Sequence, residues 1–289
     1  MHDLAEMVHD YGYSGSSSPA ELRTITSIVE FSDKVIVADR DNHCLRSFSY
    51  STTFVETFAG VCTRRRNESD EQDQMAAKSF KTESVLFDQP QGMIKDQNNP
   101  DAIFVGDKSY LMKIFVIGKQ ITEVLIRQMP FHVFDLELNA GGDLVATGNH
   151  GVVKIDSKNH ITWISGCLHN GMSSLPNTPT WRASYTRPHG CRFVTPDCLL
   201  VADYANNQLK LLNLTSQETY RIGKDISHPF LRTTKSAHYS DANISRPRSI
   251  TMDDSYIYIG MSLGYDGSKG DGILKMAYLI SEYDILLKI

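Results

Sequence analysis

The feature that most constrains this chain is an internal repeat. A short apolar strand, a polar turn, a second strand ending in a small-acidic pair, a third apolar strand and a fourth ending near glycine recur along its 289 residues. Five copies are legible, at 25–60, 88–126, 129–166, 187–223 and from 246 onward, and the fourth, RPHGCRFVTPDCLLVADYANNQLKLLNLTSQETYRIG, is the cleanest. The strands are rich in Val, Ile, Leu, Phe and Tyr and are broken by Asp, Asn, Gly and Pro. That is the pattern of short antiparallel strands joined by tight turns.

A unit of four short strands cannot bury both faces of its own sheet, so successive units must stack around an axis. Closing the ring removes exposed sheet edges that would template aggregation. The expected fold is therefore all-β, a β-propeller of four-stranded antiparallel blades forming a single domain over 1–289. Five blades are counted, with six left open. Composition fits, since 41% hydrophobic and 22% charged residues over this length support a sizeable core. The segment at 7–15 is expected to add an outer strand to the last blade, so that strands from both termini close the ring.

The runs Val37-Ala-Asp-Arg-Asp-Asn-His-Cys-Leu45 and Val201-Ala-Asp-Tyr-Ala-Asn-Asn-Gln-Leu209 resemble the V-A-D-x-x-N element of NHL-repeat propellers. The family's P-x-G-aliphatic lead-in is matched by Pro90-Gln-Gly-Met93 and Pro188-His-Gly-Cys191, and loosely by Pro247-Arg-Ser-Ile250. Its strand-ending Ala-Gly recurs in Phe58-Ala-Gly60, and Asp10-Tyr-Gly-Tyr-Ser-Gly15 is similar to the stretch that follows it. The third copy departs from the pattern, with Pro130-Phe-His-Val133 lacking the glycine and Ala146-Thr-Gly-Asn149 replacing the A-D-x-x-N order. In the matching copies, Asp39 with Asn42 and Asp203 with Asn206 are expected to satisfy backbone donors in the turn between second and third strands. That role is structural.

Lys and Arg number 29 against 34 Asp and Glu, a formal charge of −5, so no global positive excess is available to neutralise phosphates and nucleic acid is disfavoured. No run reaches the roughly 18 apolar residues of a membrane helix, and MHDLAEMVHDYGYSG does not resemble a signal peptide. The expected compartment is the cytoplasm, with a fragment of a secreted or surface protein as the alternative. The five cysteines have no metal-finger spacing and read as small buried apolar residues, Cys191 and Cys198 being the one weighed bridge.

Three long connections, 61–88, 167–186 and 224–245, are expected on one face. The first carries Arg64-Arg-Arg66 among carboxylates, read chiefly as a solvated loop, and the second carries Trp181 and reads as folding back on the propeller. The candidate interaction face is Arg64, Trp181, Phe230, Tyr239 and Arg248. Leader residues of the first strands, Gln91, His132, His189 and Arg248, with Phe131 beside His132, form the candidate axial opening.

Similarity to propeller lyases and calcium-dependent lactonases implies, as a rival, a metal held by His132, His189, Asp135 or Glu137. The lactonase set would also use Asn139, sharing a strand face with Asp135 and Glu137, and Asp253. That set is incomplete, so no metal, cofactor or catalytic residue is assigned. The expected function is a non-catalytic scaffold that binds a protein partner through the long-loop face. The alternatives are a metal-dependent propeller enzyme using the axial opening and, second, single-stranded RNA binding.

Overall fold

The computed structural model describes residues 22–288 except 32, 52–54, 63–64, 67–79, 82–83, 116–119, 127, 167–177, 223–243, 263–270 and 281–284. Each repeat copy becomes one antiparallel sheet. The first holds β1 (Ile25–Glu30), β2 (Lys34–Asp39), β3 (Cys44–Ser49) and β4 (Val55–Ala59) in that order. In the second, β5 (Phe80–Lys81) lies outside β9 (Gln120–Ile126), followed by β8 (Tyr110–Phe115), β7 (Ala102–Asp107) and β6 (Pro90–Lys95). The third runs β10 (Val133–Leu138), β11 (Leu144–Gly148), β12 (Gly151–Ile155), β13 (Ile161–Gly166). The fourth runs β14 (Thr178–Pro179), β18 (Glu218–Ile222), β17 (Gln208–Asn213), β16 (Cys198–Asp203), β15 (Pro188–Thr195), and the fifth β19 (Pro247–Met252), β20 (Tyr256–Ser262), β21 (Asp271–Ile280), β22 (Ile285–Lys288). These are the blades of a five-bladed β-propeller fold.

The fourth strand of the last blade is β22, from the carboxyl-terminal segment. The amino-terminal segment 7–15, expected in that blade, lies outside the described residues. Two of the long connections contribute sheet: β5 and β14 each extend the outer edge of the blade they precede.

The chain divides into two compact units, Met1–Leu136 and Glu137–Ile289. In the first, Ile36, Leu45, Phe87, Ile103, Met112 and Ile114 belong to one buried apolar cluster. In the second, Leu200, Leu209, Ile257, Ile259 and Met276 form another, and Tyr185, Cys191, Leu199, Val201 and Leu212 a third.

The V-A-D-x-x-N element ends a second strand, makes one 3-10 turn (Arg40–Asn42 or Tyr204–Asn206) and leaves by a left-handed residue, His43 or Asn207. Its aspartate acts differently from expectation. Asp39 and Asp203 each accept the Asn side-chain amide three residues on at 2.8 Å, but the backbone donor they take lies in the lead-in to the blade's first strand. Asp39 accepts from the Arg23 amide at 3.1 Å, Asp203 from Thr186 at 2.9 Å and Asp107 from Asp88 at 2.8 Å. In every case the donor sits two residues before that strand begins. A side-chain bond thus fixes where each first strand enters its sheet.

These carboxylates are wholly buried, and each has a cation: Asp203 with Lys210 at 2.6 Å, Asp39 with Arg46 at 3.6 Å and Asp107 with Arg66 at 2.8 Å. In two blades the cation comes from the third strand, seven residues on, and in the second blade from the connection before it. The Arg64–Arg66 run is therefore partly structural. Arg66 is buried, and Arg65 binds Asp88.

One cysteine expectation is overturned. Cys44 and Cys62 form a disulfide, with Cα atoms 5.0 Å apart, because the β3–β4 ladder places Leu45 opposite Ala59 and so carries the chain leaving β4 through Gly60 past Cys44, with Cys62 two residues further on. Cys191 and Cys198 are buried free thiols, and Cys167 lies outside the described residues.

Candidate functional site

The register of the first strand against the second shifts at the same place in four blades: between Ile25 and Ile28, Pro90 and Met93, Pro188 and Cys191, and Pro247 and Ser249. Such bulges interrupt the ladder and re-aim side chains. Gln91, His189 and Arg248, three of the four leader residues singled out from sequence, sit at these bulges. The adjoining glycine permits close approach. A Cβ on Gly92 would lie 2.6 Å from the Asp135 Cα, and one on Gly190 2.7 Å from the Arg248 carbonyl oxygen.

In the first unit, Gln91 is buried. His132 is half-buried, and burial together with the Lys108 charge lowers its imidazole pKa, favouring the neutral ring. Beside it, the Asp88 carboxylate binds Arg65 and Lys108, the latter at 2.7 Å. Burial opposes ionisation of Asp88, yet the hydrogen bonds and charges of these two cations hold it below the usual carboxylate range. The cations of this unit converge on a carboxylate of their own.

The second unit is built differently at the corresponding positions. Where the first has Asp88-Gln89-Pro90, the fourth blade has Thr186-Arg187-Pro188 and the fifth Ser245-Arg246-Pro247. Gln89, Arg187 and Arg246 all adopt left-handed backbone, with φ of 76°, 54° and 43°. The carboxylate is replaced by a hydroxyl, and the following residue becomes arginine.

These arginines, with Arg248, surround Tyr204, the first residue of its 3-10 turn. An Arg248 Nη2–H donates to the Tyr204 hydroxyl at 3.3 Å, and its guanidinium carbon lies 5.1 Å from the ring centroid. Arg246 lies 5.8 Å from the same centroid, and the His189 ring packs at 4.8 Å, tilted by 56°. Burial raises the Tyr204 pKa, but the Arg248 hydrogen bond and the Arg248, Arg246 and Arg187 charges outweigh it and lower the phenol overall. The cluster is cationic with an aromatic floor, a combination that grips carboxylates by charge-assisted hydrogen bonds. Arg248 also lines a cavity of about 350 Å³ with Ser249, Gly260, Met261, Gly272 and Ile273.

Of the expected interaction face, Arg248 is described and exposed. Trp181 lies in the 3-10 turn Thr180–Arg182, which is held back on the fourth blade by the Thr180 amide donating to the Gln217 carbonyl at 2.9 Å. Arg64, Phe230 and Tyr239 lie outside the described residues. Tyr204, at a variable position of V-A-D-x-x-N, was missed. The available signal was an aromatic residue in a turn whose neighbours before each proline are arginines.

The lactonase-type set is dispersed. Asn139 falls just beyond β10 and closes the hairpin to β11, its Oδ1 accepting from the Asp143 amide at 2.8 Å. Asp253 closes the β19–β20 hairpin by accepting from the Ser255 and Tyr256 amides. Glu137 pairs with Arg192 at 3.0 Å. Among the described residues no group of three or more His, Cys, Asp or Glu stands where it can hold a metal ion. No described helix is long and apolar enough to cross a membrane.

No family model and no curated protein matches the chain. Solved structures do. Virginiamycin B lyase from Staphylococcus aureus matches at 14% identity and a TM-score of 0.53, over 95% of this chain and 72% of that one. An auxiliary nutrient-binding protein from Bacteroides thetaiotaomicron matches at 11% and 0.57, over 83% of this chain and 57% of that one. The extracellular domain of a protein described as a hybrid two-component system from B. thetaiotaomicron matches at 15% and 0.51, over 91% and 28%. At such identities the likeness is one of fold, and that fold is the β-propeller.

Proposed function

We propose that the chain is a single NHL-type propeller domain that serves as a non-catalytic interaction scaffold, its Tyr204 cluster receiving an acidic segment of a protein partner. One observation carries this reading: the repeat position that holds Asp88 in the first unit is Thr186 in the second, where three arginines gather round the Tyr204 phenol instead of a carboxylate. Charge complementarity then supplies orientation and rate of encounter. A fold likeness to a nutrient-binding protein supports binding in general, whereas the lyase likeness supports the enzyme rival. The Cys44–Cys62 disulfide supports an oxidising compartment in place of the cytoplasm expected from sequence.

The test is fluorescence anisotropy with a labelled peptide carrying four glutamates, at about 0.1 M salt, where roughly 10 Å of screening length remains. Binding that is lost in Arg248→Ala and Tyr204→Ala supports the proposal. Absence of binding overturns it. Salt-dependent binding of oligouridylate lost in the same variants would replace it with RNA recognition, and stoichiometric zinc or calcium in the purified protein would replace it with the enzyme reading.

A further inference from the structure

Resting on the acidic-segment reading, we infer that the group bound at the Tyr204 cluster is the free carboxyl terminus of a peptide whose last residue is large and apolar. Arg248 belongs to two environments at once. Its guanidinium bonds the Tyr204 hydroxyl, and the same residue lines the cavity formed with Ser249, Gly260, Met261, Gly272 and Ile273. At about 350 Å³ that cavity stands at the small end of ligand pockets, the size for one side chain and the main chain beside it.

The register explains why the space is there. Gly260 pairs with Ile273 on one face of the β20–β21 ladder and Met261 with Gly272 on the other, so Ile273 borders a groove over Gly260 that it shares with Ser249. Ile273 is 76% exposed, an apolar side chain left open to solvent beside an arginine. The bulge between Pro247 and Ser249 directs Arg248 at the groove's mouth.

A single arginine at the edge of an apolar cavity asks for an anion and an apolar group separated by very few bonds. Within an extended segment, an acidic residue and its apolar neighbour project to opposite sides, so only one of them can enter. At a carboxyl terminus, the α-carboxylate and the last side chain branch from the same carbon. The carboxylate then meets Arg248, with Arg246 and Arg187 adding charge, while the side chain fills the space beside Ile273 over Gly260.

The experiment uses the full chain and four fluorescein-labelled peptides of common sequence: one ending in leucine with a free carboxylate, one ending in leucine amide, one ending in serine with a free carboxylate, and one amidated with four internal glutamates. The expected result is that the leucine acid binds at least about tenfold more tightly than its amide, the loss expected when one charged hydrogen-bonded pair is removed. Arg248→Ala removes that preference. Ile273→Ser, at an exposed position that folding tolerates, removes the preference for leucine over serine while keeping acid over amide. Equal binding of acid and amide, or of leucine and serine ends, overturns the inference. If the glutamate peptide binds as tightly as the leucine acid, this inference fails while the acidic-segment reading stands, and if no peptide binds, both fail.

Discussion

Replacing Lys210 with methionine tests the buried carboxylate that anchors the fourth blade. Lys210 and Asp203 are both fully buried, 2.6 Å apart, and the ammonium also donates to the Ser184 carbonyl and stands 4.5 Å from the Tyr185 ring centroid. Methionine keeps the length and apolar contact of the stem but strands the carboxylate, which keeps the Thr186 amide and the Asn206 side chain as neutral donors. Breaking one partner of a buried pair costs about 3–5 kcal/mol. At roughly 2–4 °C per kcal/mol for a chain of this size, the melting temperature falls by on the order of 10 °C. The cost of burying that charge without a cation is relieved when the carboxylate takes up a proton, so in this variant stability returns as pH falls. Calorimetry of Lys210→Met at pH 8 and pH 5 should show a large deficit at the first and a smaller one at the second, and Lys210→Met with Asp203→Asn should recover part of the loss at both. A single variant as stable as the parent at pH 8, with no pH dependence of its own, would refute the account of Asp203 as an ionised anchor.

Two further perturbations follow from the same geometry. Gly92→Ala forces a Cβ to within 2.6 Å of the Asp135 backbone, which cannot give way as a flexible side chain would, and thermal unfolding should show a loss of about 1–3 kcal/mol or more. Removing the Cys44–Cys62 bridge by the double serine variant frees a loop of sequence separation 18, worth about 3 kcal/mol by loop-closure entropy, and urea titration of the parent with and without reductant should show a loss of the same size.

Most of the fold was legible because strands, turns and glycines obey local rules that the repeat copies state several times over. What escaped were pairings between residues that only the register brings together. Cys44 and Cys62 looked like independent apolar residues until the β3–β4 ladder set Leu45 opposite Ala59. The cations of the three buried aspartates were missed because one of them, Arg66, comes from outside the blade's own repeat and was read with its neighbours as a solvated charge run. The alternation of Asp135, Glu137 and Asn139 suggested a shared face, yet the strand ends at Leu138 and a hairpin claims Asn139. The P-x-G spacing marked the leader positions in the sequence, but the bulges at Gln91, His189 and Arg248, and the Tyr204 ring beside His189 and Arg248, are consequences of pairing geometry. The site signal in the sequence is comparative: Asp88-Gln89-Pro90 against Thr186-Arg187-Pro188.

That comparison carries a last consequence. Left-handed backbone suits glycine, and holding another residue there costs on the order of 1–3 kcal/mol, part of which the greater freedom of unfolded glycine cancels. Arg246, at φ 43°, makes its repeat-position contacts through the backbone: its amide donates to Asn207 Oδ1 at 2.9 Å and its carbonyl accepts from the Ser262 amide at 3.2 Å. Glycine preserves both. If arginine stands there for its guanidinium beside Tyr204, Arg246→Gly should stabilise the chain by about 1 kcal/mol while weakening binding of an acidic peptide. Gln89, at φ 76° in the same repeat position of the first unit, supplies the control, because Gln89→Gly should stabilise to a similar degree and leave peptide affinity unchanged. A destabilised Arg246→Gly would show that the side chain supports the fold, and an unchanged affinity would show that it does not serve the cluster. Only the combination of greater stability with weaker binding assigns the strain to function.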